Sequence, residues 1–180
     1  MAQPLLVCIQ DSHHPLVTAL LHLYAAAFPA PERRTATQLL SLLPEQEMQV
    51  HALTWDGRFA GFCIHWQFDG FLFVEHLAVE PHLRGQRLGQ LLMQWLLQQA
   101  QGPLVLEVEH PVDVVSRRRV AFYVQQGLVL YPEFPYQQPP YQRHGQPVPL
   151  CLMTAPLLAA DALPALAATI QQQVYIRYYT

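Results

Sequence analysis

Residues 76–96 read HLAVEPHLRGQRLGQLLMQWL. An apolar strand end meets a proline turn, then a short loop in which Arg84 and Arg87 alternate with Gly85 and Gly89. Beyond it Leu88, Leu91, Leu92, Trp95 and Leu96 fall on one face of a helix over about 87–101. Gly102-Pro103 stops that helix, and PLVLEVE (103–109) returns to strand character. Strand, helix and strand over this length predict a parallel crossover. The first turn of such a helix carries amides with no intrahelical partner, and the macrodipole adds partial positive charge there. Two glycines admit a ligand close to the main chain, and arginine adds charge-assisted hydrogen bonds. The loop therefore fits a phosphate or diphosphate, although glycine at a strand-to-helix turn also serves the turn alone. It is neither a Walker loop nor G-x-G-x-x-G.

On the N-terminal side, PLLVCIQ (4–10) reads as a strand, and Leu16, Leu20, Leu21, Leu23 and Tyr24 follow at helical spacing as far as Phe28-Pro29. Thr35 is a cap for a second short helix carrying Leu39, Leu40 and Leu43. MQVHALTW (48–55), RFAGFCIHWQF (58–68) and FLFVEHLAV (71–79) are three strands joined across Asp56-Gly57 and Asp69-Gly70, so an antiparallel meander is expected. On the C-terminal side, Ser116 is read as the cap of a helix over 117–126, followed by a strand at 128–134. PYQQPPYQRHGQP (135–147) is read as a long ordered loop, VPLCLM (148–153) as a last strand, and about 162–176 as a closing helix. The class is α+β, a mixed sheet in which the meander joins a parallel βαβ unit with helices on both faces.

Composition narrows the partners. The chain has 180 residues, no lysine, ten arginines and a net charge of −3, which argues against nucleic acid. Apolar residues make up 52% and charged residues 13%, enough for a large core and for a homodimer interface. No apolar run is long enough for a membrane span, and the start lacks a secretory pattern. Cys8, Cys63 and Cys151 are few, far apart and set in apolar runs, as in a cytoplasmic protein without disulfides. The scattered histidines form no H-E-x-x-H and meet no cysteine pair, so no metal is expected.

The stretch at 76–96 resembles the acyl-CoA motif of the GNAT superfamily of N-acyltransferases: a strand reading L-A-V, a proline turn, then [QR]-x-x-G-x-[GA]. RRRVAFYVQQGLVLY (117–131) resembles the second signature of that family, in which a Phe-Tyr pair is followed four residues after the tyrosine by glycine. The resemblance covers about 4–155, leaving a domain at 1–155 and a helical extension at 156–180. One departure is that the middle glycine of the loop is Arg87. The resemblance implies acetyl-CoA as cosubstrate, its diphosphate on Arg84, Gly85, Gln86, Arg87, Leu88 and Gly89. Its pantetheine arm would lie along Leu77, Ala78 and Val79, in a notch where the strands at 71–79 and 103–109 splay. The function implied is N-acetylation of a small amine by direct transfer; a non-catalytic acyl-CoA-binding module is the alternative.

Acyl transfer to nitrogen needs a base for the ammonium and a proton for the departing thiolate. Glu75 is the acid within an apolar strand, with Phe71, Phe73, Leu77 and Val79 expected on its face and His76 on the other. It is therefore the candidate base, or else an edge carboxylate that points to solvent or pairs with an arginine. Tyr123 matches the family's general acid, or else is a core aromatic whose hydroxyl is satisfied nearby. Glu107 and Glu109 share a strand face and would attract a cationic amine, or simply line the sheet. Family topology places Tyr131, Tyr136 and Tyr141 on the wall of the acceptor pocket. Arg117-Arg118-Arg119 sits awkwardly beside the positive end of a helix dipole: either an anion or an acid such as Asp113 offsets the arginines, or they form a solvated face.

Overall fold

The computed structural model describes residues 3–179. Seven strands form one sheet in the order β1-β2-β3-β4-β5-β7-β6. They are β1 (Pro4–Cys8), β2 (Met48–Trp55), β3 (Arg58–Phe68), β4 (Phe71–Val79), β5 (Leu104–Val108), β6 (Val129–Gln138) and β7 (Val148–Ala155). Every neighbouring pair is antiparallel except β4 with β5, which the crossover helix makes parallel. At the β2–β3 turn Asp56 and Gly57 both take positive φ, 51° and 72°, the twist that suits a two-residue hairpin. At the β3–β4 turn Gly70 takes it, with φ 87°.

Helices cover both faces. On one lie α1 (Val17–Ala27), α2 (Ala36–Ser41) and the C-terminal α5 (Leu163–Ile170), which widens into a π-helical stretch at Gln171–Ile176 and ends in a turn at Arg177–Tyr179. Leu20, Leu23 and Tyr24 of α1 pack there with Ile170, Val174 and Tyr175 against Phe62, Phe73 and Leu152. The other face carries α3 (Leu88–Gln99), whose Leu88, Leu92, Met93 and Leu96 press on Leu72, Val74 and Leu106. Beside it lies α4 (Val114–Gln125), which packs through Val120, Phe122 and Tyr123. The segment 156–180 thus inserts Ile170, Val174 and Tyr175, each 0% exposed, into the same core as the sheet.

Caps explain the helix starts. Thr35 accepts from the Gln38 amide while the Gln38 side chain accepts from the Thr35 amide, as the sequence led one to expect of Thr35. For α4 the cap is Asp113 and not Ser116. Ser116 sits three residues in and completes the reciprocal pair, so the helix begins one turn earlier than the sequence reading placed it. β6 also outruns its expected end. It bends through a register shift between Tyr131 and Tyr136 and takes the first four residues of the supposed loop into the sheet.

Candidate active site

The site starts from two interruptions of the sheet. β4 and β5 pair only over Leu72–Leu104, Phe73–Val105 and Val74–Leu106; beyond Val74 the strands part. The β5-facing edge of β4 past Val74 is left without a strand partner, which is the expected notch. The second interruption is a bulge. Ile64 stands opposite His76 and His65 opposite Val74, so Glu75 has no partner residue on β3. A bulge cancels one step of alternation. Glu75 and His76 consequently share the α1 face, while Leu77 and Val79 turn to the α3 face. The expected alternation at this point is corrected by that one residue.

Glu75 borders the cleft, but its carboxylate is turned away into the core. Its side chain is fully buried, and Arg34 Nη1 forms an ion pair with Oε1. Tyr141 donates its hydroxyl to the same oxygen at 2.6 Å, and Trp66 donates Nε1 to Oε2 at 2.7 Å. Of the readings open to Glu75, pairing with an arginine is the observed one. His76 Nε2 lies 3.2 Å from the Tyr24 hydroxyl, and burial together with the Arg34 cation holds its pKa well below the usual histidine value.

A cleft of about 810 Å³ runs from the notch to the start of α3. Leu77, Ala78, Val79, Arg84, Gly85, Arg87, Leu88 and Gly89 line it. Gln86 does not, and two of the expected amides are spent inside the loop: Arg84 donates to Pro81 and Gln86 to Leu83. The amides of Gly85, Arg87, Leu88, Gly89 and Gln90 have no partner among the described residues, so the cradle is shifted by one residue toward the helix. Arg87 caps α3 in the left-handed region, with φ 60° and ψ 14°. Glycine in this place is therefore about backbone conformation, and here an arginine adopts it at a cost of roughly 1–2 kcal/mol. Gly89 is different. A Cβ there would meet Phe122 at 3.5 Å, ordinary contact, so neither strain nor packing demands glycine. Its missing side chain leaves main chain open to the cleft, as a bound diphosphate requires.

The Arg87 observation has a measurable outcome. Arg87→Gly relieves the left-handed cost while losing part of the gain to the more flexible unfolded chain. A stabilisation of about 0.5–1 kcal/mol is expected, read as a higher urea midpoint. Arg87→Ala keeps the Cβ and should give no such gain; equal midpoints for the two variants would contradict the strain.

At the far end of the cleft stand Glu32, Glu107 and Glu109. Glu109 is ion-paired with Arg119. Glu107, half-buried on β5, accepts from the Tyr136 hydroxyl at Oε1 and from the Tyr175 hydroxyl at Oε2, the latter at 2.7 Å. Burial raises its pKa to about 7, against the lowering effect of the two phenols. Tyr123 also lines the cleft, and burial raises its hydroxyl to about 12, so it is protonated at neutral pH. That hydroxyl has no hydrogen-bond partner among the described residues. Tyr136 is 3% exposed and stands behind Glu107 instead of on the wall. Tyr131 ties Thr154 to Leu158, and Tyr141 is sunk beside Arg34, so none of the three tyrosines expected around the acceptor lines the cleft. The arginine run is dispersed: Arg117 bonds the Val112 carbonyl, Arg119 pairs with Glu109, and Arg118 lines the cleft.

Sequence reasoning missed Arg34, Gln138 and Tyr175. Arg34 carried one signal, a charge flanked by the apolar segments of α1 and α2; Tyr175 and Gln138 carried none, lying in the tail and in the supposed loop.

The sequence profile described as the acetyltransferase (GNAT) family matches residues 17–128. A Bacillus subtilis (strain 168) protein with a provisional acetyltransferase name, YjbC, is 33% identical over 99 residues, which are 53% of this chain and 49% of YjbC. The chain thus spans about half the length of that curated relative. A solved structure from Bacteroides thetaiotaomicron, provisionally named an acetyltransferase of the GNAT family, matches with a TM-score of 0.84 at 29% identity, covering 97% of this chain and 98% of its own. A GNAT family acetyltransferase from Elizabethkingia anophelis, solved with acetyl-CoA bound, shares the fold at 13% identity, with a TM-score of 0.59 over 86% of this chain and 98% of that one. With the profile matched over more than half of its length, on a sheet opened between β4 and β5 beside the amides that start α3, this chain belongs to the GNAT acetyltransferase family, whose members use acyl-CoA.

Proposed function

We propose that the chain is an N-acetyltransferase that moves an acetyl group from acetyl-CoA to a primary amine of a small acceptor by direct transfer. The observation that carries the reading is that one cleft joins five amides unpartnered among the described residues, the open edge of β4, Glu107 and Tyr123. The amides of Gly85 and Arg87 through Gln90 would hold the diphosphate, and Leu77, Ala78 and Val79 the extended arm. An amine of pKa ~10.4 is mostly ammonium at pH 7, so it must lose a proton to attack. Glu107 takes this role in place of Glu75. It faces the cleft with no ion pair among the described residues, and a base that titrates near 7 matches the working pH. As the C–N bond forms and the C–S bond breaks, Glu107 holds the proton from nitrogen and Tyr123 supplies one to sulfur. Cys8, Cys63 and Cys151 do not line the cleft, which favours direct transfer over an acyl-enzyme.

Purified protein with acetyl-CoA and a panel of amines should release free CoA thiol. Tyr123→Phe is expected to lower kcat about 10- to 100-fold while leaving the Kd for CoA within about twofold. Unchanged turnover would remove Tyr123 from its role. CoA binding without transfer to any amine would identify a non-catalytic acyl-CoA-binding module instead.

A further inference from the structure

Three buried side-chain polar atoms lack a partner among the described residues: His65 Nδ1, Gln138 Nε2 and Tyr178 Oη. Of their side chains only Gln138 lines the cleft. Gln138 ends β6 and is 3% exposed, and nothing among the described residues bonds its carboxamide. A buried amide left unpaired is costly, so a partner from outside the chain is the expected use. The register places it. On β7, Leu152 stands opposite Glu107, Leu150 opposite Tyr136 and Val148 opposite Gln138. Gln138 therefore shares the face of the sheet with Glu107 but lies two pairings farther along β7, on its other side. Leu150, between them on β7, also lines the cleft. The charge of this end is acidic. Arg119 offsets Glu109, while Glu32 and Glu107 have no ion pair among the described residues.

We infer that the acceptor is an elongated amine carrying, several bonds from its nucleophilic nitrogen, an uncharged hydrogen-bonding group, an amide or a hydroxyl, that the Gln138 carboxamide takes. The inference rests on the acetyl-transfer reading and deepens it. The nitrogen sits by Glu107, the apolar middle passes Leu150, and the far group pairs with Gln138, which can turn either its NH₂ or its carbonyl toward it. A carboxylate there would add negative charge to a cleft that already holds Glu32 and Glu107 without ion pairs among the described residues, and be disfavoured.

The test uses ω-amino amides and ω-amino alcohols of increasing length, with alkylamines and ω-amino acids of matched length. Thiol release measures transfer, and ligand-observed NMR on the CoA-loaded protein measures binding. One length of amide or alcohol should exceed its matched alkylamine and amino acid about 10- to 100-fold in kcat/KM, and Gln138→Leu should abolish that margin. The same variant, relieved of an unpaired buried amide, should melt a few degrees higher; Gln138→Asn, retaining a shorter carboxamide, should keep part of the margin. Transfer with no margin at any length, or a margin that survives Gln138→Leu, overturns the inference and leaves the acetyl-transfer reading standing. Selective binding that Gln138→Leu erases, without transfer to any amine, supports the inference and removes the transfer reading; absence of both binding and transfer overturns both.

Discussion

Glu107→Gln is expected to lower kcat/KM for acetyl transfer by roughly 10²- to 10³-fold and to flatten the rise of rate through pH about 7. Glu107 must be ionised to take the proton of the ammonium, so activity grows as pH climbs past its pKa. Burial sets that pKa, and the hydroxyls of Tyr136 and Tyr175 pull it down by favouring the charged form. Removing one of them in Tyr175→Phe should therefore move the inflection upward. The linkage separates lost chemistry from lost folding. A carboxyl whose folded pKa lies above its unfolded value of about 4.3 binds more protons when folded, so its contribution to stability falls as pH rises between the two. Glu107→Gln removes that cost and should be no less stable than the parent at pH 8. A pH–rate profile unchanged by Glu107→Gln would return the base role to another group.

Arg34→Met should cost about 3–5 kcal/mol of stability, the loss expected when one partner of a buried ion pair is removed. Arg34 is 0% exposed and gathers four parts of the chain. Nη1 pairs with Glu75 at the bulge, Nη2 donates to the Val174 carbonyl at 2.8 Å, Nε donates to the Tyr179 hydroxyl at 2.6 Å, and the guanidinium lies 4.8 Å from the Tyr141 ring centroid. Without it the Glu75 carboxylate keeps only Tyr141 and Trp66 in a fully desolvated place. Glu75→Gln leaves the guanidinium uncompensated and should cost a comparable amount, so inactivity in that variant must be separated from unfolding. The double variant Arg34→Met/Glu75→Gln leaves neither charge and should lose less than the sum of the two, as urea titration of the four proteins would show. Strict additivity would mean that the two charges do not depend on each other.

Much of this was legible beforehand. Period-2 and period-3.6 patterns, the Asp-Gly turns and the Thr35 cap located all seven strands and the main helices, because those signals are local. The loop at 84–89 was legible for the same reason: strand, glycines and helix start are neighbours in sequence. What escaped was decided between distant residues. The bulge at Glu75 depends on the β3 register and has no signature in FLFVEHLAV, so strict alternation put His76 on the wrong side. Tyr136 and Tyr141 were read as a pocket wall, but their hydroxyls are satisfied inside by Glu107 and Glu75. Arg34, whose guanidinium meets the Trp66 ring, Glu75, Tyr141 and the C-terminal segment, all distant in sequence, could not be found by spacing. Nothing local in the C-terminal helical extension shows that Tyr175 reaches Glu107.

In the proposed function, the unpartnered amides at the start of α3 hold the diphosphate of the coenzyme. Amide ¹⁵N–¹H spectra recorded while CoA is titrated in test it most directly. Gly85, Arg87, Leu88, Gly89 and Gln90 should shift downfield together as their N–H groups acquire an anionic acceptor, while Gly57 and Gly70 in the hairpin turns stay in place. If CoA binds and those five amides do not move, the coenzyme is held elsewhere and the assignment of the cleft is wrong.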